Sequence, residues 1–563
     1  MRLKYDLCYN ISSMIADIHI TEKSFGDKTL MKDVKFSVDD GEKVGVVGRN
    51  GVGKSTLFGI LSGKDTDYTG EVIFRRGITV ATTAQEHHGL GDQTVMSYIL
   101  GGLPEYSKLK KIIDEYPLTM GDNMRKIEEY TQALERFDQK GFYQVEEKID
   151  RELSNFQLDG FGDRRISSLS GGQKRLVEIV KIMHSEAHLA LIDEPTNHMD
   201  YVAKQQFIDW MNSQPHQAML IITHDRDVLG QVDRIVEIKD GQAVSYRGNY
   251  DAYLKQNAQA TTAGMNNFEQ IEKRIVNLKQ KVLDYQRLKE KSRNPGTIQK
   301  FKRLENEARA ELAELSEMEK PTFWIDKESV GQLDYKSAER YGKFKSRNIR
   351  LSMKDASSRS QHVLVRVENV AVGIGERILF EDVNIDLREG EAIEIRGRNG
   401  AGKTTLIRMI LASGKSSDGG PVLYSGDIFL DPQVRIGVYE QEIDERYLSD
   451  PLEKAIEKLY MSRDLSISDT KIRQLLADYL FTDADRMTPL ARLSGGQKAR
   501  FQIIAMLAND PQLLILDEPT NHLDLPSIEE LETALVKYSG AILYVSHDNY
   551  FREKLGGKVV QIG

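Results

Sequence analysis

Hydrophobic residues follow two patterns along this chain. Short apolar runs, such as KVGVVG at residues 43–48 and LALID at residues 189–193, predict strands that are buried on both faces, as in a parallel sheet. The first run continues through a glycine-rich loop into the helical sequence KSTLFGIL, and the second ends in acidic residues. Because buried strands alternate with helices, the sequence predicts the α/β fold class.

A different pattern occupies the middle of the chain. Apolar residues there recur at 4,3,4,3 spacing, as in one face of a coiled-coil helix, at Ile271, Ile275, Leu278, Val282 and Tyr285. A turn at 294–296 follows, and a matching stripe is formed after it by Phe301, Leu304, Ala308, Leu315 and Met318. Two helices of about 25 residues would make an antiparallel hairpin roughly 35–40 Å long. The sequence therefore predicts an α-helical hairpin linker.

The composition is that of a globular protein with more than one domain. The chain has 563 residues, of which 40% are hydrophobic and 29% charged. It contains no run of about 18 apolar residues and no secretory leader, so we expect no membrane partner. The single cysteine, Cys8, excludes disulfides within the chain and fits a reducing cytoplasm. The net charge of -9 argues against nucleic-acid binding by the chain as a whole, so any such contact requires a local basic patch.

The same ordered set of motifs occurs twice. GRNGVGKS at 48–55 returns as GRNGAGKT at 397–404, LSGGQK at 169–174 returns at 493–498, and DEPTNH at 193–198 returns at 517–522. We expect two homologous domains, at residues 1–255 and 363–563, and a linker at 256–362 with a basic tip at about 279–303. The first copy also carries an insertion at about 103–141, predicted to form two short helices around a Gly-Asp turn. This insertion is either a surface loop without a role or a docking arm.

Each copy contains the residues of a phosphate-binding loop between a strand and a helix. Gly48, Gly51 and Gly53 allow backbone N–H groups to turn toward phosphate oxygens, and the following helix presents its positive end. Lys54 can reach the β- and γ-phosphates, and the Ser55 hydroxyl can ligate Mg²⁺. Lys403 and Thr404 repeat these roles in the second copy.

Acidic residues follow the buried strand in each copy. Asp193 and Asp517 are predicted to hold Mg²⁺, mostly through water. Glu194 and Glu518 are placed to orient and polarise the attacking water. Each acid alone is also compatible with a helix cap. The recurrence of DEPTNH behind a phosphate-binding loop in both copies favours the catalytic interpretation.

The order of these motifs resembles the nucleotide-binding domain of ABC ATPases, with Gln85 or Gln441 after the phosphate loop and His224 or His547 after the acids. The resemblance implies a head-to-tail sandwich in which each ATP lies between one domain's phosphate loop and the other's LSGGQ signature. Lys54 would share its nucleotide with Ser494, and Lys403 would share its nucleotide with Ser170. The two histidines would contact the γ-phosphate and count, with Glu194 and Glu518, as catalytic residues.

The resemblance also implies a full set of ligand contacts. The implied ATP-binding residues are Phe25, Gly48, Asn50, Gly51, Gly53, Lys54, Ser55, Thr56, Gln85, Ser170, Gly171, Gly172, Gln173, Gly397, Asn399, Gly400, Gly402, Lys403, Thr404, Thr405, Gln441, Ser494, Gly495, Gly496 and Gln497. The implied Mg²⁺ ligands are Ser55, Gln85, Asp193, Thr404, Gln441 and Asp517. Alignment of the copies puts Ile374 opposite Phe25, where the family stacks an aromatic ring on adenine. We therefore expect looser nucleotide preference at the second site.

Charge is distributed unevenly along the predicted hairpin. Residues 279–303 contain nine Lys/Arg and two acids, whereas the returning helix is acidic beyond that point. A solvated coiled coil has no reason to segregate its charges, so we interpret the tip as a phosphate-seeking surface. A second basic run at 335–354 contains Tyr335, Tyr341 and Phe344. It is either an ordered extension whose aromatic residues stack on RNA or a flexible tether.

Twin ABC domains, the insertion in the first copy and the basic helical linker together resemble the ABC-F family. Membership implies a cytoplasmic monomer with an intramolecular sandwich, which binds the ribosomal E site and reaches 23S rRNA, P-site tRNA and the peptidyl-transferase centre, with no DNA partner. The RNA-binding residues would be Lys289, Lys291, Arg293, Lys300, Lys302 and Arg303. We expect ribosome protection against antibiotics; a housekeeping translation factor and an ATPase component of a transporter are the alternatives.

Overall fold

The computed structural model describes the whole chain except residues 1–13, 27, 84–91, 120, 122, 198, 319, 332, 334, 352–361, 376, 416–419 and 441–442. The chain divides into two compact units. One consists of Met1–Tyr250 with Ile349–Gly563 and contains both copies of the repeat. The other, Asp251–Asn348, contains the helical hairpin.

The first copy is built on a parallel sheet with an antiparallel sheet beside it. Its strands are β1 Met14–Phe25, β2 Lys28–Asp39, β3 Lys43–Gly48, β4 Thr69–Phe74, β5 Val80–Thr82, β6 Leu189–Asp193, β7 Ala218–Ile222, β8 Arg234–Lys239 and β9 Gln242–Arg247. Its helices are α1 Lys54–Leu61, α2 Val95–Leu100, α3 Tyr106–Thr119, α4 Met124–Gln139, α5 Val145–Asn155, α6 Gly171–His184, α7 Tyr201–Asn212 and α8 Arg226–Leu229. The larger sheet has the order β5-β6-β7-β3-β8-β9, in which only β9 is antiparallel, and the smaller one has the order β2-β1-β4.

The buried strands divide their side chains between two cores. On β6, Leu189 and Leu191 pack in the core between the two sheets, whereas Ala190 and Ile192 pack in the core on the helical side. All five residues of β6 are buried, as the continuous apolar run predicts. This burial on both faces holds the acids at the carboxyl end of the strand in a fixed position.

The second copy repeats this plan. Its strands are β10 Val363–Ile374, β11 Arg377–Arg388, β12 Ala392–Arg396, β13 Pro421–Leu430, β14 Ile436–Tyr439, β15 Leu513–Asp517, β16 Ala541–Val545 and β17 Lys558–Gln561. Its helices are α13 Lys403–Leu411, α14 Glu445–Leu448, α15 Leu452–Met461, α16 Asp469–Asp478, α17 Asp483–Arg486, α18 Gly495–Leu507, α19 Leu525–Val536 and α20 Asn549–Leu555. The parallel sheet has the order β14-β15-β16-β12-β17, and the antiparallel sheet has the order β11-β10-β13.

The insertion of the first copy forms the helical pair that the sequence predicts. Helices α3 and α4 pack through an aromatic cluster in which the Tyr106 and Phe142 ring centroids lie 5.3 Å apart, and those of Phe137 and Phe142 also lie 5.3 Å apart. The predicted Gly-Asp turn includes residue 122, which lies outside the described residues. The insertion therefore packs into the apolar core on the helical side of the first copy.

The hairpin unit contains α9 Tyr250–Lys291, α10 Pro295–Ser316, α11 Lys327–Gly331 and α12 Tyr335–Phe344. The predicted turn is confirmed, because Asn294 caps α10 by accepting a hydrogen bond from the Gly296 N–H at 2.9 Å. The apolar seam is formed by Leu278, Val282, Tyr285, Ala308, Leu312 and Leu315. One stripe member is wrong, since Met318 lies beyond the end of α10 and is 50% exposed.

The second basic run differs from the prediction. Tyr341 and Phe344 are both 3% exposed and pack with Met265 and Ile325 in a small core of the hairpin unit. The Ile325 N–H donates to the Tyr341 hydroxyl at 2.9 Å. These two aromatic residues stabilise the base of the unit, so they do not offer ring faces to RNA. Among the described residues, every helix is too short or too polar to cross a lipid bilayer.

Candidate functional site

The two phosphate loops share one local structure. Gly53 and Gly402, which precede α1 and α13, have φ values of 103° and 96°, a region that favours glycine. Lys54 Nζ donates to the carbonyl oxygens of Gly48 at 2.6 Å and Arg49 at 3.2 Å. Lys403 Nζ donates to Gly397 at 2.9 Å and Arg398 at 3.0 Å. Each ammonium group thus lies within the loop that a phosphate would fill.

Hydroxyl and carboxylate oxygens meet behind each loop. Ser55 Oγ donates to Asp193 Oδ2 at 3.1 Å, and Thr404 Oγ1 donates to Asp517 Oδ2 at 2.7 Å. Burial raises the pKa of Asp517 to about 6, and its Oδ1 is a buried atom without a hydrogen-bond partner among the described residues. A hard, oxygen-only donor set with an unsatisfied carboxylate oxygen fits Mg²⁺.

The glutamates after the strands adopt left-handed backbone conformations. Glu194 has a φ of 46° and Glu518 a φ of 52°, which is uncommon for residues other than glycine. The conformation is held by the Glu194 N–H, which donates to Ile222 O at 2.7 Å, and by the Glu518 N–H, which donates to Val545 O at 3.0 Å. Outliers of this kind cluster at functional sites because the surrounding structure must enforce them. The matching left-handed conformations therefore indicate that both glutamates are functional residues.

A histidine lies beside each glutamate. Nε2 of His224 lies 3.6 Å from Glu194 Oε1, and Nε2 of His547 lies 3.3 Å from Glu518 Oε1. Burial, together with the ammonium groups of Lys54 and Lys403, lowers the pKa of each histidine to about 3. Burial also raises the pKa of Glu194 to about 8. Both imidazoles are neutral near pH 7, so each presents one N–H donor and one acceptor nitrogen.

The two signatures form helix N-termini of the same design. Ser170 caps α6 in a capping box with Gln173, and Ser494 caps α18 in a capping box with Gln497. The glycines that follow occupy the first helical turn, where backbone N–H groups have no partner within the helix. Each signature therefore offers N–H donors and the positive end of a helix to an anion.

The copies face each other head to tail. A cavity of about 700 Å³ lies between them. Its lining includes the predicted residues Ser170, Gly171, Gly172, Gln173, Glu194, His224, Asn399, Gly400, Gly402, Lys403, Thr404, Thr405, Asp517, Glu518 and His547. Opposite this second site, the first phosphate loop contacts the second signature: a Cβ on Gly496 would lie 2.1 Å from Asn50 Nδ2. Residues that are far apart in the sequence are thus brought together as the sandwich requires.

Several predicted residues lie at the edge of this arrangement or outside the described residues. Phe25 is 55% exposed, and Lys23 Nζ lies 4.7 Å from the centre of its ring. Ile374 is 52% exposed and lines the cavity. Gln85 and Gln441 lie outside the described residues.

Two aspartates in the sites were missed by the motif argument. The Asn50 N–H donates to Asp524 Oδ2 at 3.2 Å, and the Asn399 N–H donates to Asp200 Oδ2 at 3.0 Å, so each aspartate reaches the phosphate loop of the other copy. Asp200 also accepts a hydrogen bond from Gln157. The signal was present in the sequence, because each DEPTNH motif is followed two residues later by an aspartate in front of a helix.

The predicted RNA-binding residues fall into two groups. Lys289 Nζ lies 2.6 Å from Glu305 Oε2, and Arg303 Nε lies 3.4 Å from Glu307 Oε1. Hydrogen bonds from Lys289 and Arg309 lower the pKa of Glu305 to about 2. The other four are exposed and make no ion pair or hydrogen bond to any residue that the structure describes; they are Lys291, Arg293, Lys300 and Lys302.

The sequence resembles known proteins over nearly its whole length. A family model described as ABC transporter matches residues 31–197 and 380–521. The putative ATP-binding protein YdiF of Bacillus subtilis is 30% identical over 98% of this chain and 80% of its own length. The ribosome protection protein VmlR of Bacillus subtilis is 28% identical over 94% of this chain and 83% of its own. The energy-dependent translational throttle protein EttA of Mycobacterium tuberculosis is also 28% identical, over 94% and 88%.

Solved structures support the same fold. The structure titled RNase-L Inhibitor has a TM-score of 0.55 and 17% identity, and the match covers 97% of this chain and 89% of that one. The archaeal ribosome recycling factor aABCE1, in complex with ribosomal stalk protein aP1, has a TM-score of 0.56 and 16% identity, with the same coverage. At these identities the likeness concerns the tandem α/β fold alone.

Proposed function

Because this chain belongs to the ABC-F family of ATPases, we propose that it binds the ribosomal E site in its ATP-closed form and acts through its hairpin tip on P-site tRNA and the peptidyl-transferase centre. One observation carries the proposal: four exposed cations, none paired with a residue that the structure describes, lie at the tip of a hairpin in a chain with a net charge of -9. Polyanion binding by an acidic protein requires such a patch.

The chain is an ABC-type ATPase, and its two domains bind and hydrolyse ATP. In the proposed mechanism, Lys54 and Lys403 exchange carbonyl contacts for the β- and γ-phosphates, while the opposite signature serine and helix N-terminus bind the γ-phosphate. Closure then depends on a phosphate that both domains hold. Glu194 and Glu518 orient the attacking water, and the neutral imidazoles of His224 and His547 contact the γ-phosphate.

Mg²⁺ is the metal that these residues suit. When bound with ATP it neutralises charge on the β- and γ-phosphates. The residues that would hold it are Ser55, Gln85 and Asp193 in the first site, and Thr404, Gln441 and Asp517 in the second. The proposed ATPase domains span residues 1–255 and 363–563, with the linker at 256–362.

The hairpin supplies the contact with RNA. The four unpaired cations are the primary phosphate contacts in this proposal, since Lys289 and Arg303 already have carboxylate partners. Glu305 is 5% exposed and joins the two helices near the tip, so it holds the backbone that presents those cations. We assign the chain to ribosome protection in the cytoplasm, acting as a monomer on 23S rRNA and P-site tRNA. The similarity to the ribosome protection protein VmlR favours this assignment, and the similarity to the translational throttle protein EttA favours the alternative of a translation factor.

The ribosome proposal is tested with the variant Glu194→Gln/Glu518→Gln. Loss of both water-orienting carboxylates is expected to lower ATP turnover about 100-fold or more and to trap the closed form. With ATP present, the variant should sediment with ribosomes and block translation in a cell-free system. Sedimentation free of ribosomes in ATP would disprove the proposal.

The tip is tested by charge reversal. Lys291→Glu/Arg293→Glu/Lys300→Glu is expected to abolish the ribosomal effect and to leave basal ATPase within about two-fold. A matched control makes the same change in charge at exposed lysines of the same unit, with Lys255→Glu/Lys273→Glu/Lys343→Glu. Equal loss in both triple variants would show that overall charge, and not the tip, governs binding.

Protection and housekeeping roles are separated by a drug panel. A susceptible host that expresses this chain should gain resistance to at least one inhibitor of the peptidyl-transferase centre or exit tunnel. The Glu194→Gln/Glu518→Gln variant serves as the control that lacks turnover. Unchanged susceptibility across the panel, together with ATP-dependent ribosome binding, would favour the translation factor.

A further inference from the structure

One buried lysine lies where the histidine loops of the two copies meet. These are the segments that follow β7 and β16 and contain His224 and His547. Lys204 is in the first turn of α7, one helical turn after Asp200, and is 5% exposed. Its Nζ lies 2.9 Å from Asp225 Oδ2 and 3.0 Å from Asp227 Oδ2, both in its own copy. It also donates to the carbonyl oxygen of His547 in the other copy, at 2.8 Å.

The surroundings of Lys204 are a closed polar cluster. Asn549 Nδ2 of the second copy donates to Asp227 Oδ2 at 2.6 Å, so that this carboxylate joins the two copies as well. Arg226, between the two aspartates, lies 2.8 Å from Glu532 of the second copy. The ammonium of Lys204 is therefore paired on one side with carboxylates of the first histidine loop and on the other with the main chain of the second.

His547 is held at both of its backbone polar groups. Its N–H donates to Glu518 Oε2 at 3.2 Å, and its carbonyl accepts from Lys204. The same turn of α7 reaches the second phosphate loop, because Asp200 accepts the Asn399 N–H at 3.0 Å. One helical turn of the first copy thus contacts two loops of the second ATP site.

The first ATP site has no equivalent of this lysine. The repeated DEPTNH motif aligns Lys204 with Ile528, which is 2% exposed and packs in the apolar core of the second copy. An isoleucine side chain cannot donate to the carbonyl of His224. At the aspartate one turn earlier, by contrast, both copies are alike, since Asp524 accepts the Asn50 N–H.

We propose that Lys204 is a positioning residue for His547, and that it makes the second ATP site depend on the first domain in a way that the first site does not depend on the second. The inference rests on the proposed contact of His547 with the γ-phosphate. Lys204 fixes the loop after the imidazole, so its loss should impair the step that needs a well-placed histidine more than it impairs ATP binding.

The test is steady-state ATP hydrolysis by the purified full-length chain. Lys204→Met keeps the length of the side chain but removes the donor, and is expected to lower kcat of the second site about ten-fold with KM for ATP changed less than two-fold. Lys204→Arg, which retains a charged donor, is expected to recover most of the loss. Equal losses in both variants, or a change confined to KM, would overturn the proposal.

Combining Lys204→Met with a histidine substitution in either copy shows which ATP site the lysine affects. In His224→Ala, remaining turnover comes from the second site, and Lys204→Met should lower it about ten-fold. In His547→Ala, remaining turnover comes from the first site, and Lys204→Met should change it less than two-fold. A full loss in the His547→Ala background would show that Lys204 acts through Asp225 and Asp227 or through general stability, and would overturn the proposal.

The experiments distinguish an error in the proposed role of His547 from an error in the proposed role of Lys204. If His547→Ala alone leaves turnover unchanged, the proposed role of His547 is wrong and the inference falls with it. If His547→Ala lowers turnover while Lys204→Met does not, only the inference is wrong. Neither measurement involves ribosomes, so the outcome is independent of the proposed partner.

Discussion

The two copies of the repeat agree in the residues of the proposed phosphate contacts and differ at several positions around them. Lysine, hydroxyl, acid pair, histidine and capped signature occupy matching positions in both. Four of the positions that differ between the aligned copies lie in or near the proposed ATP sites. They are Lys204 and Ile528, Gln157 and Leu480, Arg226 and Asn549, and Phe25 and Ile374.

The proposed ATP chemistry and many of the contacts between the copies therefore depend on different residues. The proposed phosphate contacts are alike in both copies, whereas residues between the copies give each site its own neighbours. Three polar side chains of the first copy make such contacts, since Lys204, Arg226 and Asp227 meet His547, Glu532 and Asn549 of the second copy.

The largest effect is expected for Arg226→Met. Arg226 and Glu532 are 3% and 1% exposed and form an ion pair between the copies. Removal of the arginine leaves a buried carboxylate whose remaining ion-pair partner among the described residues is Lys554. We expect the free energy of unfolding to fall by about 3 kcal/mol, measured by urea denaturation. Arg75→Met, which breaks an exposed pair with Asp40, should cost less than about 1 kcal/mol. Similar losses in the two variants would show that the buried ion pair between the copies stabilises the protein no more than an exposed pair does.

A smaller effect is expected for Gln157→Leu, which makes the first copy like the second. Gln157 donates to Asp200, and its φ of 62° matches the φ of 57° at Leu480, so the backbone of this turn already accommodates leucine in the other copy. Loss of one hydrogen bond should cost about 1 kcal/mol, or about five-fold in second-site turnover, measured in the His224→Ala background. Leu480→Gln is the converse control and should leave the second site unchanged.

The smallest effect is expected at the adenine positions. Ile374→Phe gives the second site the aromatic face that Phe25 is predicted to offer in the first, and should lower its KM for ATP about three-fold relative to GTP. The measurement again uses the His224→Ala background. Phe25→Ile in the His547→Ala background should have the opposite effect. If neither substitution changes the preference between ATP and GTP, the bases are recognised elsewhere.

Much of the fold was accessible from local pattern. The run LALID predicts a strand buried on both faces, and β6 has this environment because parallel strands are covered by other layers. The turn at 294–296 was equally clear, since proline at the first helical position after an asparagine cap is a strong local signal. Signals of this kind act within a few residues, so they need no knowledge of the rest of the chain.

Other features depended on contacts that no local pattern encodes. Helix α9 has 42 residues, far more than the predicted 25 or so, and includes Gly264 in its interior. The glycine is explained by a tertiary contact, because a Cβ on Gly264 would lie 2.6 Å from the Phe323 ring, which packs there from the other end of the linker. The burial of Tyr341 and Phe344 has the same origin. Lys204 likewise looks like an ordinary helical lysine until the second copy is placed beside it.

At the base of the hairpin unit, the beginning and the end of the linker contact each other. Asn257 Nδ2, near the start of the unit, donates to Trp324 O at 2.8 Å. The Phe323 N–H donates to Phe344 O at 2.8 Å, and the Ser346 N–H donates to Phe323 O at 2.7 Å. Hydrogen bonds and a small apolar core within the unit therefore hold the two ends of the linker together. A segment whose ends are closed in this way can be lengthened, shortened or exchanged at its far end as a cassette, because the change leaves the closure intact. Exchange of the region between Leu278 and Ala308 would therefore change the far end of the hairpin and leave the contacts at its base unchanged.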